Sequence, residues 1–542
     1  MLPYAVAAAG VVWVLYKVLR LFVVKSPLDI VLGPPRKSLL AGNLEQLFDR
    51  DAWGFHDEVA LQYGDVVKIN AVFGDKWLYV FDPTALRQIV FKDSTFDQIP
   101  WLIESTRMLL GAGVLGVLGE AHKRQRKMLT PAFAENNLRE LTPVVYEVAR
   151  RLGDAVAGTV AGAQRDVDML DWMGRGALEI IGQAGLGHSF DPLTSDTKSD
   201  AYTQAAKQPL SFTPIMVAVR QLSPILTRLG PAWFRRLLVK CVPVAQVQQL
   251  RNVVDTLYQT SVDIIAQKRA LLESGKISVG KDIMSVLLKA NMAASEADRL
   301  PDEQILGQMN ILLFAATDTT SHVMAQILQL LSENPDIQEQ VRQEILAACD
   351  GDPEHEISYD RLHALPLLDA VCKETLRLYP PTPIVLRTAF EDSTLTLARP
   401  LRTADGTFTD RLFVPKDTNV LVGVRACNRA RSLWGPDAET WRPARWLAED
   451  GLPPALASAA VPGVYAHTMT FVGGPRSCVG FRFAQIEMKV VMSTLLSRFA
   501  FEPSATPIFW NVSAITFPSA GRESEKPEMW LKVRPLAPRK SG

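Results

Sequence analysis

Residues 471–480 read Phe-Val-Gly-Gly-Pro-Arg-Ser-Cys-Val-Gly, the most specific pattern in the 542-residue chain. The glycines allow backbone N–H groups to turn toward the sulfur of Cys478 and stabilise a negative charge on it. The run from Phe483 to Met488 has helical character, and the positive end of that helix is expected to lower the pKa of the Cys478 thiol. The loop therefore has the composition of an anionic sulfur site. The alternative is an inert buried cysteine in a glycine loop.

The other four cysteines are far apart in the chain, and no two cysteines form a C-x-x-C pair of the kind that binds zinc or exchanges disulfides. We interpret them as free thiols in a reducing compartment. They are Cys241, Cys349, Cys372 and Cys427.

The spacing Phe471-x-x-Gly474-x-Arg476-x-Cys478-x-Gly480 resembles the haem-binding signature of the cytochrome P-450 family, without a departure. At ordinary residue frequencies such a match arises by chance about once in 10⁴ chains of this length. The resemblance implies haem b as the cofactor, with Cys478 as the axial ligand of the iron. The other four residues of the pattern are then haem-binding residues.

Two further segments are similar to family motifs that support the cysteine loop. Glu374 and Arg377 lie one helical turn apart, as in the family's Glu-x-x-Arg helix. The segment 441–446 is similar to the family's Pro-Glu-Arg-Phe segment, with Ala444 in place of the usual glutamate. The resemblance implies a buried network of Glu374, Arg377 and Arg445.

Residues 314–321 place polar, weak helix formers inside an apolar helix predicted from about Asp302 to Ser332. In the structural alternative, the threonine hydroxyls merely bond back to the preceding turn and bend the helix. The resemblance implies instead that Asp318 and Thr319 are catalytic and face bound dioxygen. Ala316 stands where the family usually has glycine, which adds a methyl group beside the oxygen site.

A basic helix precedes these motifs. His122 and Arg126 are four residues apart and share one helix face, so both can reach one anionic group. The resemblance assigns them, together with Arg387 and Arg476, to the haem propionates. The alternative is a solvated basic face, and the other basic residues of this helix are candidates for contact with an acidic redox partner.

The N-terminal segment is apolar without a break from Leu2 to Tyr16. Continued as a helix to residue 24 it spans about 34 Å, enough to cross a bilayer. Positive charge follows the segment and does not precede it, which predicts a cytosolic body. We expect a transmembrane anchor at 1–24, a proline-containing hinge at 25–45 and a catalytic domain at 46–542. A cleaved secretory signal and a buried core helix are the alternatives.

The remaining chain predicts one large helical body with a minor β region. Residues 64–70 and 76–81 read as two strands, 95–380 as mostly helical, and 384–425 as short strands. One helix and a β-rich tail follow Cys478. Residues 111–116 satisfy G-x-G-x-x-G, but no strand precedes them, so we reject dinucleotide binding. The P-450 resemblance adds a long central helix over the haem.

Equal numbers of basic and acidic residues, 58 of each, argue against a nucleic-acid partner. The resemblance implies a monooxygenase that inserts one oxygen atom of O2 into a C–H bond, with electrons from an NADPH-dependent cytochrome reductase or cytochrome b5. Apolar stretches at 101–103, 108–110, 215–217 and 384–385 fall where the family lines its pocket and indicate a lipophilic substrate. Likeness to fungal secondary-metabolism members indicates a terpenoid-like one.

The expected location is the endoplasmic reticulum membrane, with a single span and the catalytic domain in the cytosol. Two other classes of protein remain open from the sequence. One is a haem-thiolate isomerase or dehydratase, which has little need for Asp318 and Thr319. The other is a non-catalytic haem-binding membrane protein, which needs neither this pair nor a pocket.

Overall fold

The computed structural model describes residues 26–194, 223–273, 281–352, 354–447 and 452–536. The predicted anchor at 1–24 and the predicted pocket stretch at 215–217 lie outside the described residues.

Most of the body is helical, as the apolar spacing predicts. The α-helices are α1 (Leu44–Phe48), α2 (Trp53–Gln62), α3 (Pro83–Phe91), α4 (Pro100–Leu110), α5 (Gly119–Leu129), α6 (Glu135–Val160), α7 (Met169–Ile180), α8 (Ala232–Lys240), α9 (Ala245–Glu273), α10 (Ile283–Ala293), α11 (Asp302–Glu333), α12 (Pro335–Ala348), α13 (Tyr359–His363), α14 (Pro366–Leu378), α15 (Val424–Arg429), α16 (Arg431–Trp434), α17 (Pro454–Ala459) and α18 (Phe481–Arg498).

The strands are short and form small sheets. They are β1 (Val66–Asn70), β2 (Lys76–Val80), β3 (Phe96–Asp97), β4 (Arg165–Asp168), β5 (Ile384–Ala389), β6 (Ser393–Arg402), β7 (Phe408–Val414), β8 (Asn419–Gly423), β9 (Phe499–Pro503), β10 (Ile508–Asn511), β11 (Phe517–Ala520) and β12 (Trp530–Pro535). The largest sheet has the order β1-β2-β8-β5-β3, and a second has the order β4-β12-β9. The pairs β6-β7 and β10-β11 complete the set.

The two strands predicted near the N-terminus are confirmed. They pair antiparallel, with Val66 opposite Val80 and Asn70 opposite Lys76. Gly74, at φ 75°, closes the turn between them, a conformation that glycine adopts without steric cost.

The central helix α11 spans about 48 Å at the usual rise per residue, and its predicted limits agree with the observed ones. Its residues on both sides of the middle are buried, whereas residues 314–319 keep accessible surface. Among the described helices, α11 alone is long and apolar enough to cross a membrane, but most of its apolar window is buried inside the body. It is therefore the core helix on which the other elements pack.

Two strands inside the predicted helical stretch 95–380 were missed. β3 pairs with β5, and β4 pairs with β12, so each finds its partner more than 200 residues along the chain. Strands of two and four residues are too short to show an alternating pattern, because only their distant partners make them strands.

The segment 111–116 is preceded by helix α4, which confirms the prediction that no strand precedes it. Its glycines instead permit a close backbone contact with the central helix. A Cβ on Gly113 would lie 2.6 Å from the carbonyl of Gly307, and a Cβ on Gly307 would lie 2.4 Å from the nitrogen of Gly113.

We expect Gly307→Ala to destabilise the fold by about 1–3 kcal/mol, because the added methyl group must push α11 away from the 111–116 segment. The matched control is Gly158→Ala in helix α6, where a Cβ meets no atom within 4 Å. That change should stabilise the protein by about 0.5–1 kcal/mol, the usual gain from replacing a helical glycine. Thermal unfolding of the two variants against the wild type checks both signs, and equal effects would contradict the contact.

Candidate functional site

The cysteine loop is held by close backbone contacts that only glycine allows. A Cβ on Gly473 would lie 1.7 Å from the carbonyl oxygen of Pro462. One on Gly474 would lie 2.1 Å from the carbonyl oxygen of Val90, at the end of helix α3. Gly474 also has φ 71°, in the left-handed region. These two glycines therefore fix the loop against two separate parts of the chain.

Cys478 lies at the end of this loop, just before helix α18. Its backbone N–H donates to the carbonyl of Phe471 at 2.9 Å, which closes the turn. The side chain keeps accessible surface, whereas burial dominates its pKa. Both observations hold if the thiol faces an enclosed internal space.

The expected lowering of the Cys478 pKa is wrong. Burial raises the pKa of the thiol, and the opposing effects of the Gly480 backbone N–H and the Arg126 charge are smaller. A thiol enclosed by protein loses the hydration that would stabilise its thiolate, so two weak opposing interactions do not compensate. A metal cation bound to the sulfur would favour the thiolate form at this position.

Arg126 reaches the cysteine loop directly from helix α5. Its guanidinium donates to the backbone carbonyl of Ser477 and, at 3.3 Å, to the Ser477 hydroxyl. Burial lowers the pKa of Arg126, while the neighbouring Cys478 opposes that shift. Arg126, which the sequence resemblance assigns to a haem propionate, thus also holds Ser477, the residue before the cysteine.

Arg476 forms an ion pair with the carboxylate of Asp97 at 2.8 Å, and His122 and Arg387 lie near enough for the charge of Asp97 to act on them. Burial lowers the pKa of His122 to about 4, and the charge of Arg476 adds to this effect. His122 is therefore neutral at pH 7. Asp97, at the end of a two-residue strand, carried no signal in the sequence.

Arg387 is buried, with 2% of its surface exposed, and its guanidinium donates to the carbonyl of Leu386 at 2.9 Å. It forms no ion pair with any described residue. Burial lowers its pKa to about 10. A buried guanidinium without a direct ion pair is costly unless a further anion balances it.

The charges of this cluster fit the prosthetic group that the cysteine pattern implies. Arg126, Arg387 and Arg476 supply three positive charges, and Asp97 supplies one negative charge. Two positive charges are left over, and a haem carries two propionate groups. The soft sulfur donor of Cys478 suits iron at the same site. The residues present therefore fit a haem.

The predicted network of Glu374, Arg377 and Arg445 is present and buried. Arg377 donates to both oxygens of Glu374, at 2.9 and 2.8 Å. Arg445 donates to the same carboxylate at 3.3 Å. The indole N–H of Trp446 at 3.0 Å and the backbone N–H of Arg442 at 3.1 Å complete its shell, and neither was expected from the sequence. Burial alone would raise the pKa of Glu374, but Arg377, the backbone N–H of Arg442 and the charge of Arg445 together hold it below its ordinary value.

Asn428 connects this network to the cysteine loop. Its backbone carbonyl accepts from Arg377 at 2.8 Å. Its side chain accepts from the Met469 N–H at 2.7 Å and donates to the Thr470 hydroxyl at 2.9 Å. Thr470 in turn donates to the carbonyl of Leu376 at 2.7 Å. The start of the loop is thus fixed to helix α14. Asn428 lies 50 residues before Cys478 in the chain, and no local pattern identified it.

The polar segment of α11 shows the back-bonding of the structural alternative. Thr317 donates to the carbonyl of Leu313 at 2.7 Å, and Thr319 donates to that of Ala315 at 2.6 Å. Thr319 nevertheless keeps accessible surface, as do Asp318 and Ala316. Because its proton is engaged, the Thr319 oxygen is left to accept a hydrogen bond from a donor in front of the helix.

Comparison with known proteins gives one consistent family. A family model described as Cytochrome P450 matches residues 32–513. Cytochrome P450 monooxygenase 91 of Postia placenta is 46% identical over 535 residues, which cover 97% of this chain and 98% of that protein. Ganoderic acid synthetase of Ganoderma lucidum is 42% identical over 546 residues, with 98% of each chain covered.

We expect Glu374→Gln to destabilise the protein by about 3–5 kcal/mol, because it leaves the buried Arg377 guanidinium without its anion and leaves Arg445 with Asp437 alone. The matched control is Glu439→Gln, which breaks the exposed ion pair with Arg431 and should cost at most about 1 kcal/mol. Because its folded pKa is lowered, the Glu374 contribution is present above pH 4.5 and is lost as the pH falls below that value. Thermal unfolding at pH 7 and in acid measures both effects, and similar losses in the two variants would contradict the network.

Proposed function

The chain belongs to the cytochrome P450 family and is a monooxygenase of that family, and from this premise we propose that it inserts one oxygen atom of O2 into a C–H bond of a lipophilic small molecule. Family membership implies a haem cofactor, which we take to be haem b. The observation that carries the proposal is the cluster of three arginines and one aspartate beside the Cys478 loop, in which Arg387 and Asp97 are buried and Arg126 and Arg476 are partly buried.

Within this proposal each side chain of the site has a separate task. Haem, when bound, supplies the oxidising chemistry, and the sulfur of Cys478 donates electron density that favours O–O cleavage. Arg126, Arg387 and Arg476 balance the propionates, with His122 as a neutral hydrogen-bonding neighbour. The close contacts of Gly474 hold the loop in place, so that the sulfur keeps its position.

Asp318 and Thr319 would control protons at the distal side. The Thr319 oxygen can accept a hydrogen bond, because its own proton is engaged by Ala315. The Thr319 oxygen would thus hold a proton donor at a defined point in front of the helix. Asp318 would resupply that donor with protons from solvent. Ala316 packs against the main core. Its methyl group would leave less room for dioxygen in front of helix α11 than a glycine at this position.

The proposed substrate is a terpenoid-like intermediate of fungal secondary metabolism. Support comes from the relative named as a ganoderic acid synthetase, which aligns over nearly the whole chain. The side chains at 101–102 and 384–385 are apolar and partly accessible, as the wall of a lipophilic pocket requires. Expression with a reductase, followed by mass spectrometry for a metabolite that gains one oxygen atom, tests the reaction. Product formation without consumption of NADPH and O2 would indicate an isomerase or dehydratase instead.

We place the protein at the endoplasmic reticulum membrane, with a single anchor at 1–24. Its electrons would come from an NADPH-dependent reductase. A group of exposed apolar side chains favours contact with a lipid surface, because exposed apolar surface is costly in water. On helix α8 and in the residues 223–231 before it they are Ile225, Leu229, Trp233, Phe234, Leu237 and Leu238. The exposed basic residues of helix α5, Lys123 and Lys127, offer a surface to an acidic redox partner.

Cys478→Ser should abolish the thiolate-type absorption of the reduced carbon monoxide complex, because serine does not supply a soft anionic donor. Cys241→Ser is the control, since this exposed free cysteine should leave the spectrum unchanged. Optical spectra of the purified proteins measure both. A thiolate spectrum that survives in Cys478→Ser would remove the central assignment.

Thr319→Ala should still bind haem and accept electrons, but NADPH consumption should end mainly in hydrogen peroxide, because the proton donor is no longer held in position. Asp318→Asn should chiefly slow turnover. Thr317→Ala is the matched control, since this threonine makes the same kind of back-bond, to Leu313. Product and peroxide are measured per NADPH consumed. Full product yield in Thr319→Ala would show that its hydroxyl is only structural.

A further inference from the structure

A cleft of about 550 Å³ opens on the body away from the cysteine site. Its walls come from helix α2, the start of strand β1, strand β6 and helices α15 and α16. Among the described residues that line it are neither Cys478, nor members of the Asp97 cluster, nor residues of the polar segment of α11. It is therefore a separate feature of the molecule, and its size suits a small ligand.

The cleft has an excess of positive charge. Five arginines and four carboxylates line it. Three of the carboxylates are engaged in ion pairs, which are Arg425–Asp57, Arg399–Asp65 and Arg431–Glu439. The fourth, Asp82, is buried and accepts from the backbone N–H groups of Ala85 and Ala398. Arg402 and Arg429 are thus left without a carboxylate in the described part of the chain.

Arg429 is the more deeply placed of these two arginines. Its Nε donates to the carbonyl of Leu378 at 2.9 Å, and the guanidinium lies 5.2 Å from the centre of the Tyr379 ring. These contacts fix its orientation, but its two terminal nitrogens have no hydrogen-bond partner among the described residues. Burial, helped by the neighbouring charge of Arg425, lowers the pKa of Arg429 to about 10. A fixed guanidinium with free donors in a cleft is a site for an oxyanion.

The rest of the cleft offers apolar surface. Leu61 and Phe408 are 66% and 69% exposed, and the buried side chains of Leu397 and Leu401 also line the cleft. Large apolar side chains that share one exposed surface are costly in water. A ligand that covers them therefore binds with a favourable hydrophobic free energy. The cleft thus combines a cationic part with an apolar part.

We propose that this cleft binds a small anionic amphiphile, with its phosphate or carboxylate on the free nitrogens of Arg429 and its apolar group against Leu61 and Phe408. The inference is independent of the proposed oxidation, because it uses no residue of the haem site.

Arg429 lies next to the residues that support the cysteine loop. Arg429 follows Asn428, whose side chain holds Met469 and Thr470 at the start of that loop. Arg429 also holds the last residue of helix α14, Leu378. An anion bound to the oriented guanidinium of Arg429 therefore adds a further contact next to both supports of the loop. Binding should raise the resistance of the holoenzyme to unfolding, since only the folded protein contains the site.

The test titrates the purified holoenzyme with hexyl phosphate, inorganic phosphate and hexanol, and follows binding by calorimetry and by thermal unfolding. Hexyl phosphate should bind saturably and raise the unfolding temperature, whereas hexanol should do neither. Inorganic phosphate should bind more weakly, because it lacks the apolar group. Arg429→Gln should weaken the binding of hexyl phosphate about tenfold or more, because it removes charge-assisted hydrogen bonds. Arg429→Lys should restore part of the affinity.

Two further variants keep the test decisive if Arg429→Gln does not fold. Phe408→Asp places a negative charge at the exposed rim and should also weaken hexyl phosphate binding. Arg411→Gln removes an exposed arginine of strand β7 that does not line the cleft, and it should bind as the wild type does. Unchanged affinity in both Arg429→Gln and Phe408→Asp would overturn the proposal. Binding to anionic phospholipid vesicles without binding to hexyl phosphate would overturn the assignment to a free small molecule.

Discussion

The buried carboxylate of Glu374 is the interaction on which the rest of the structure depends. One anion receives two guanidinium groups, an indole N–H and a backbone N–H, and it joins helix α14 to the segment around Arg445, 71 residues later. Arg377 also donates to the carbonyl of Asn428, and the side chain of Asn428 binds the start of the cysteine loop. The Glu374 network is therefore connected to that loop. A charge buried this deeply is tolerable only when all its partners are present, so the segments must assemble together.

The cysteine site, unlike the Glu374 network, has an excess of positive charge. Its arginines exceed its carboxylates, and burial raises the pKa of the Cys478 thiol. The uncompensated arginine charge is unfavourable for the protein alone and is relieved by an acidic group, and a metal cation carried by that group favours the thiolate form of Cys478. A ligand that binds only the folded chain stabilises it, so haem binding and stability of this region should be coupled.

The central helix combines two requirements. Its flanks are buried among α7, α14 and α18, whereas its middle carries threonines and an aspartate that favour other structures. The threonine hydroxyls bond back to the preceding turn, which satisfies them without disturbing the packing. The long buried flanks therefore allow the helix to present polar groups at one point, where the reaction that we propose needs them.

The sequence by itself determined the features that depend on neighbours along the chain. These are the cysteine loop, the Glu374–Arg377 turn, strands β1 and β2 and the limits of α11, because glycine conformations, helical spacing and alternation act over a few residues. Only the tertiary structure decided the raised pKa of Cys478, the pairing of Arg476 with Asp97, the role of Asn428 and the short strands β3 and β4. Each of these depends on burial or on partners from distant segments, and neither electrostatic desolvation nor long-range contact has a local sequence pattern. The cleft around Arg429 belongs to the same class, since its charges are brought together only by folding.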